Sequence, residues 1–90
     1  MHPSEIEVSR RAERDLRRIG RGPELDRIVN ALRELVTGDA NLDVRALQGA
    51  SPWLRLRVGD WRILYRPTDR GFWIERVIHR RELDRAIQTL

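Results

Sequence analysis

Residues 53–66, WLRLRVGDWRILYR, constrain the fold of this 90-residue chain more than any other stretch. Apolar and basic residues alternate on both sides of Gly59-Asp60, and a period of two is typical of β-strands with one buried face. A Gly-Asp pair between two such runs fits a two-residue hairpin turn. The stretch therefore predicts an antiparallel hairpin with strands at 53–58 and 61–66.

The same alternation predicts which side chains share a face of the hairpin. One face would carry Leu54, Leu56, Val58, Trp61, Ile63 and Tyr65, and the other Trp53, Arg55, Arg57, Arg62, Leu64 and Arg66. Like charges on adjacent strands repel by roughly a few tenths of a kcal/mol per opposed pair. Folding alone does not favour such a cluster, whereas a bound anion would relieve it. The alternative interpretation is an ordinary solvated sheet face, which is usually polar.

The first half of the chain predicts a strand followed by two helices. SEIEV at 4–8 alternates apolar residues with acids, as in a short strand. Ser9 fits the N-cap of a helix that ends at Gly20. Pro23 suits the first turn of a second helix, and Gly38 fits its C-cap. Both helices carry apolar residues at helical spacing, so they should form a hairpin with one face for a sheet.

The remaining segments complete the predicted fold. Residues 39–52 are typical of a loop, 72–78 of a further strand, and 80–90 of a short C-terminal helix with Leu83 and Ile87 facing inward. We therefore expect one α+β domain, spanning 1–90, in the order β-α-α-β-β-β-α. A helical hairpin would pack on a mainly antiparallel four-stranded sheet, with a short C-terminal helix.

Composition excludes several classes of site. The chain has no cysteine, so it has no disulfide framework and no cysteine-based zinc site. Two histidines, His2 and His79, do not make a ligand set, so we expect neither a metal nor another cofactor. No stretch approaches the roughly 18 apolar residues of a membrane span. We expect a cytoplasmic protein that does not act at a membrane.

Positive charge is concentrated in the second half of the chain. Residues 1–44 hold 8 Arg and 9 acids (−1), residues 45–81 hold 9 Arg and 3 acids (+6), and residues 82–90 hold 1 Arg and 2 acids (−1), which sum to +4. All 18 basic residues are arginine. A GC-rich genome accounts for most of that bias, but it does not account for the uneven placement. A polyanion is the expected partner of the basic segment.

Three stretches resemble the RelE/ParE superfamily of bacterial toxins from type II toxin–antitoxin systems. They are ALQG at 46–49, LRLRVGDWRILYR at 54–66, and ERVIHRRELDRAI at 75–87. The order of elements is similar as well, and the likeness covers nearly the whole chain. The resemblance implies a RelE-like fold and a cognate antitoxin that forms a hetero-oligomer with the toxin. The antitoxin would contact the helix at Glu82 and Asp84, or the apolar stripe at 25–36. The alternative is that this stripe is buried in the domain's own core.

The RelE branch, which we favour, implies a metal-independent mRNA interferase that needs the ribosome. Its basic sheet positions correspond to Arg55, Arg57 and Arg62, and its arginine after the last strand corresponds to Arg80. Many members carry a tyrosine four residues beyond that arginine. Here Asp84 takes its place, which removes a stacking or proton-transferring group. The ParE branch instead inhibits DNA gyrase without nuclease chemistry.

RNA cleavage by its own 2′-hydroxyl needs a base, an acid and charge stabilisation at phosphorus. Arg62 and Arg80 would stabilise the scissile phosphate, because guanidinium binds phosphate oxygens bidentately but remains protonated. His79 is the acid–base candidate because imidazole titrates near neutral pH, and Asp84 is a second candidate that could instead orient His79 or form a surface ion pair.

Substrate contacts would come from four further residues, Arg55, Arg57, Arg81 and Trp53. Trp53 falls on the basic face and could stack a base or simply cover the edge of its strand. Trp73 is assigned to neither core nor surface. Two alternatives to the nuclease stay open at this point: a gyrase inhibitor, and a nucleic-acid-binding module without turnover.

Overall fold

The computed structural model describes residues 5–38 and 41–90. Its elements are β1 (Glu5–Val8), α1 (Arg10–Ile19), α2 (Pro23–Thr37), β2 (Asp43–Ala46), β3 (Leu54–Val58), β4 (Trp61–Pro67), β5 (Gly71–His79), a 3₁₀ turn (Arg80–Glu82) and α3 (Leu83–Ile87). The predicted α+β fold is confirmed, with a helical hairpin and a short C-terminal helix. Ser4, the expected first residue of β1, lies outside the described residues, as do His2 and Asp39.

The two long helices begin and end where the sequence predicts. The Ser9 hydroxyl accepts a hydrogen bond from the Ala12 amide at 3.0 Å and so caps α1. Gly20 follows the last residue of α1, and Pro23 is the first residue of α2. Gly38 closes α2 at φ 79°, a left-handed conformation that glycine adopts without steric cost. No helix among residues 5–38 and 41–90 has the length and hydropathy needed to cross a membrane.

The sheet has five strands in the described chain, not the four that the sequence predicts. Its order is β1-β5-β4-β3-β2, with β1 parallel to β5 and the other neighbours antiparallel. The additional strand, β2, lies in the segment predicted to be a loop. Its four residues are all exposed, and such a short edge strand carries almost no apolar alternation. Val44, 37% exposed, is its only large apolar residue.

Alternate residues of β3 and β4 supply the two faces of the sheet, as predicted. On the helical-hairpin face, the main core brings together buried residues of α1, α2 and three strands: Ala12, Ile28, Ala31, Leu32, Leu35, Leu56, Ile63, Tyr65, Ile74 and Val77. The apolar stripe of α2 is thus used largely inside the domain. We call the opposite side the arginine face; it carries Trp53, Arg55, Arg57, Arg62, Leu64 and Arg66.

A second, smaller core lies on the arginine face under α3. Leu64 is fully buried there with Ile78 and Ala86, and Leu47, Leu83 and Leu90 pack around them. α3 therefore presents Leu83 and Ala86 to the sheet, whereas Ile87, expected to face inward, is outside this cluster. The α3 helix interrupts the arginine face between residues 62 and 66 of β4.

The α1 helix completes the edge of β5 where β1 ends. Because β1 stops at Val8, the following part of β5 would expose unpaired backbone groups. Asp15, 4% exposed, accepts hydrogen bonds from the Val77 amide at 2.9 Å and from Arg76 Nε at 2.8 Å. The hydrogen bond to Asp15 is the main cause of the raised pKa of Arg76. Sequence reasoning did not identify Asp15, since an acid between arginines in a helix is usually exposed.

Candidate nucleic-acid interface

Four of the predicted site residues converge at one end of the sheet. Arg57 and Arg62 are direct partners across β3 and β4. The pKa of Arg62 is lowered, first by burial and then by the charges of Arg57, Arg55 and Arg80, with Asp43 acting in the opposite sense. An arginine whose pKa falls because of three other arginines lies in a strongly positive local field. We call Arg55, Arg57, Arg62 and Arg80 the arginine cluster.

The β3–β4 turn positions two members of this cluster. Arg62 Nη1 donates to the carbonyl oxygens of Gly59 and Trp61, at 2.8 and 2.9 Å. The Arg80 amide donates to the Asp60 carbonyl at 2.7 Å, and Arg80 Nε lies 3.5 Å from Asp60 Oδ1. Gly59 has a φ of 58°, which explains why glycine opens this turn. The turn thus joins the end of β5 to the hairpin and contacts both guanidinium groups.

The other two members differ in how free they are. Arg55 Nη1 lies 3.3 Å from Asp43 Oδ1, and the Arg55 side chain is only 15% exposed. Arg57 is exposed and forms no ion pair with any residue in 5–38 or 41–90. Arg45, the cross-strand partner of Arg55, adds a further exposed charge from β2. Sequence reasoning missed Arg45 because it placed this residue in a loop, and the exposed four-residue strand DVRA gives no apolar signal.

His79 lies on the helical-hairpin face, away from the arginine cluster. Its Cα partner is Trp61, and the two rings meet edge to face with centroids 5.7 Å apart. Trp61 packs against the main core, and its indole N–H donates to Glu24. The His79 Nδ1 atom accepts a hydrogen bond from the Arg81 amide at 3.3 Å and so caps the 3₁₀ turn.

A β-bulge explains this placement of His79. The register changes from Leu64 opposite Arg76 to Tyr65 opposite Ile74, which leaves Glu75 as an extra residue in β5. One extra residue reverses the alternation of everything after it. His79 therefore shares a face with Val77 and Trp61, although simple alternation from Ile74 would have placed it on the other side.

Arg81 and Asp84 contribute no side-chain contact to the cluster. Both are exposed, and neither side chain forms a hydrogen bond or ion pair with the rest of the described chain. The surface ion pair considered as an alternative role for Asp84 is not present among the described residues, and Arg80 pairs with Asp60. Arg81 borders a hollow on the helical-hairpin side, together with His79 and Glu82. Asp84 lies in the first turn of α3.

Two tryptophans and one arginine form a row across three strands of the arginine face. The guanidinium carbon of Arg66 lies 5.8 Å from the centroid of the Trp53 ring and 5.7 Å from that of Trp73. All three residues are half-buried. We call this set the Trp–Arg–Trp row. It assigns Trp73, which the sequence left undecided, to the same face as Trp53.

The arrangement can bind phosphates but offers little proton chemistry. Guanidinium groups are donors in a fixed fork, which matches phosphate oxygens, and they remain protonated at neutral pH. No cluster of three histidine, aspartate or glutamate side chains in the described residues could hold a metal ion. The site is thus an open, positive sheet surface.

Comparison with known proteins identifies one family. A family model described as the ParE toxin of type II toxin–antitoxin systems, parDE, matches residues 6–84. A search of curated proteins found no match.

The fold is similar to those of several toxins solved with their antitoxins. A chain of the Escherichia coli DinJ–YafQ complex is 21% identical, with a TM-score of 0.73, and the match covers 89% of this chain and 97% of that one. A chain of the RelB–RelE complex from Methanococcus jannaschii is 18% identical, with a TM-score of 0.69 and coverages of 89% and 96%. One from the RelBE2 complex of Mycobacterium tuberculosis is 27% identical, with a TM-score of 0.56 and coverages of 86% and 98%.

Proposed function

Because the chain belongs to the ParE toxin family of type II toxin–antitoxin systems, we propose that it arrests growth by cleaving messenger RNA on the ribosome. The observation that carries this proposal is the convergence of four arginines from β3, β4 and the end of β5. Opposed arginines destabilise the free protein slightly, and a phosphate backbone relieves that repulsion. RNA also contains its own nucleophile, the 2′-hydroxyl, so the protein need not supply one.

In the proposed reaction, the arginine cluster acts on the scissile phosphate. The 2′-oxygen attacks phosphorus while the bond to the 5′-oxygen breaks, leaving a 2′,3′-cyclic phosphate and a 5′-hydroxyl. Arg62 and Arg80 stabilise the charge on the phosphate oxygens, and Arg55 and Arg57 hold the neighbouring backbone. The leaving 5′-oxygen takes its proton from water or from a ribosomal group, because guanidinium groups remain protonated at neutral pH.

The cluster contains no group that accepts a proton at neutral pH. The 2′-hydroxyl therefore gives its proton to water or to a ribosomal group held beside it, which is why the proposal requires the ribosome. His79 does not fill this role in the arrangement described above, because its ring packs against Trp61 on the other face. Asp84 is exposed on α3, without a partner among the described residues to orient it.

One specific observation favours a second candidate, a DNA gyrase inhibitor. Among the described residues, His79 does not contact the arginine cluster, as expected if the surface binds a partner without chemistry. In either case the toxin would be neutralised by a cognate antitoxin in a hetero-oligomer, as the toxin–antitoxin complexes with the same fold suggest. We propose the cytoplasm as the place of action, since ribosomes and gyrase are both there.

The test compares three variants after induction without the antitoxin. Arg62→Ala combined with Arg80→Ala should abolish message cleavage and growth arrest. Arg70→Ala is the matched control, because Arg70 is exposed in the β4–β5 turn and outside the cluster. His79→Gln should leave cleavage in place.

Each other outcome points to a different function. Arrest with intact messages, together with inhibited supercoiling by purified gyrase, would replace the nuclease by the gyrase inhibitor. Nucleic-acid binding with neither arrest nor cleavage would leave a simple binding module. Loss of cleavage in His79→Gln but not in the arginine variant would move the active site to the helical-hairpin side.

A further inference from the structure

The contacts within the Trp–Arg–Trp row do not by themselves explain why two tryptophans lie beside one arginine. Arg66 lies over both indole rings, at 5.8 Å from Trp53 and 5.7 Å from Trp73. A cation–π contact at an exposed site stabilises a fold only modestly, and one ring would provide it. Here two large aromatic residues are half-buried beside a charged residue of the arginine face. Adjacent aromatic rings at the surface mark a binding site more often than scattered single apolar residues do.

The Trp73 indole is held in place before any ligand arrives. The Trp73 indole N–H donates to Glu75 at 2.8 Å, and Glu75 lies 3.7 Å from an Arg11 nitrogen. Arg11 in turn donates to Thr89, at the C-terminal end of the chain. A ligand that stacks here therefore pays little conformational entropy for ordering Trp73.

Trp53 is anchored through its backbone instead. Its amide donates to the Ala50 carbonyl at 2.9 Å, and its carbonyl accepts the Leu47 amide at 3.1 Å. These bonds close the connection between β2 and β3 around the start of β3. The two ends of the row are thus fixed by different segments, and Arg66 lies between them.

The row lies on the same face as the arginine cluster, and α3 lies between them over Leu64. Arg62 and Arg66 are four residues apart on β4, which corresponds to about 14 Å at a rise of ~3.4 Å per residue. Stacked nucleotides spaced by ~3.4 Å would cover that distance with about four residues, and a stretched strand with fewer. Since α3 lies between the two sites, a strand that reaches from the cluster to the row passes over the outer surface of α3 and needs more than four nucleotides.

We propose that the Trp–Arg–Trp row is a stacking subsite for an unpaired base of the single-stranded RNA whose phosphates the arginine cluster holds. This inference rests on the proposed function and adds a second contact with the RNA, away from the scissile phosphate. Any base has a π-face, so the subsite would add affinity with little sequence preference.

The test uses two 2′-O-methyl RNA oligonucleotides of equal length, which lack the attacking hydroxyl and cannot be cleaved. One carries bases throughout, and the other has abasic positions in its centre. Trp53→Leu and Trp73→Leu should each weaken binding of the first oligonucleotide by about 5- to 150-fold, and that of the abasic one hardly at all. Trp61→Phe, on the helical-hairpin face, is the matched aromatic control and should change neither. Circular dichroism reports whether each variant is folded.

The possible failures are distinguishable. Equal weakening of both oligonucleotides by the tryptophan variants, or no weakening of either, overturns the stacking subsite and leaves the proposed nuclease standing. Arg62→Ala should weaken both oligonucleotides alike, because it removes a phosphate contact. If Arg62→Ala changes nothing while the tryptophan variants act on the base-carrying oligonucleotide, the row binds RNA and the placement of the scissile phosphate is wrong.

Discussion

On β4, Ile63 and Tyr65 face the helical hairpin, whereas Arg62 and Arg66 face the other way. The first pair is buried in the main core, and the second pair is half-exposed beside other charges and aromatic rings. Ile63 and Tyr65 therefore contribute to the stability of the main core, whereas Arg62 and Arg66 would contact RNA in the proposed function. Burial of apolar area stabilises the first face, while like-charge repulsion slightly destabilises the second.

Each face also has one exception to its general character. The helical-hairpin face includes one buried ion pair at its edge, between Asp15 and Arg76. The arginine face includes one small apolar core, under α3 at Leu64 and Ile78. Four sets of substitutions test the contrast between the apolar and the charged face, in order of decreasing expected effect.

Asp15→Ala should cause the largest loss of stability. It leaves the mostly buried Arg76 without its partner and the Val77 amide without an acceptor. Removing one partner of a buried pair costs about 3–5 kcal/mol. Glu13→Ala on the same helix is the control, because the Glu13–Arg17 pair is exposed and contributes about 0–1 kcal/mol. Urea unfolding measures both; equal losses would contradict the role given to Asp15.

Ile63→Ala and Leu64→Ala compare the two cores at adjacent positions. Both side chains are fully buried. Ile63→Ala should lower the free energy of unfolding by about 2–5 kcal/mol. Leu64→Ala should cost less, because its neighbours Leu47, Leu83 and Leu90 are only partly buried and can close the cavity. A larger loss at Leu64 would mean that α3 is integral to the main core.

Tyr65→Phe should remove an alkaline loss of stability. Burial raises the pKa of Tyr65 above its ordinary value of 10.0. As pH rises above about 10, the unfolded chain releases the phenol proton while the folded chain keeps it, so the folded state loses stability. Below about pH 10 the phenol is protonated in both states, so its contribution to the free energy of unfolding is fully retained. Because the chain has one tyrosine, denaturation midpoints can be compared directly with tyrosinate absorbance. An unchanged alkaline slope in Tyr65→Phe would contradict this assignment.

Arg57→Gln should give the smallest effect, with the opposite sign. It removes the charge directly across from Arg62, so it should raise stability by roughly a few tenths of a kcal/mol at low salt. The gain should shrink as salt screens the cluster. Arg70→Gln serves as the control, since Arg70 is exposed in a turn. A destabilised Arg57→Gln, measured by thermal melts at two salt concentrations, would mean that the cluster is not repulsive in the free protein.

Local patterns in the chain predicted much of the fold. Ser9, Gly20, Pro23 and Gly38 mark helix ends through hydrogen bonding and backbone conformation within a few residues. The alternation around Gly59 identified both faces of the β-hairpin. The four-residue strand β2 was missed because exposed edge residues give no apolar signal.

By itself, the sequence determined the helical hairpin, the two-faced β-hairpin, the concentration of positive charge and the family. Only the tertiary structure decided which side His79 faces, that Asp15 closes the edge of β5, and that Trp73 joins Trp53 around Arg66. The physical reason is that these features depend on strand register and on the bulge at Glu75, which arise from contacts between segments far apart in the chain.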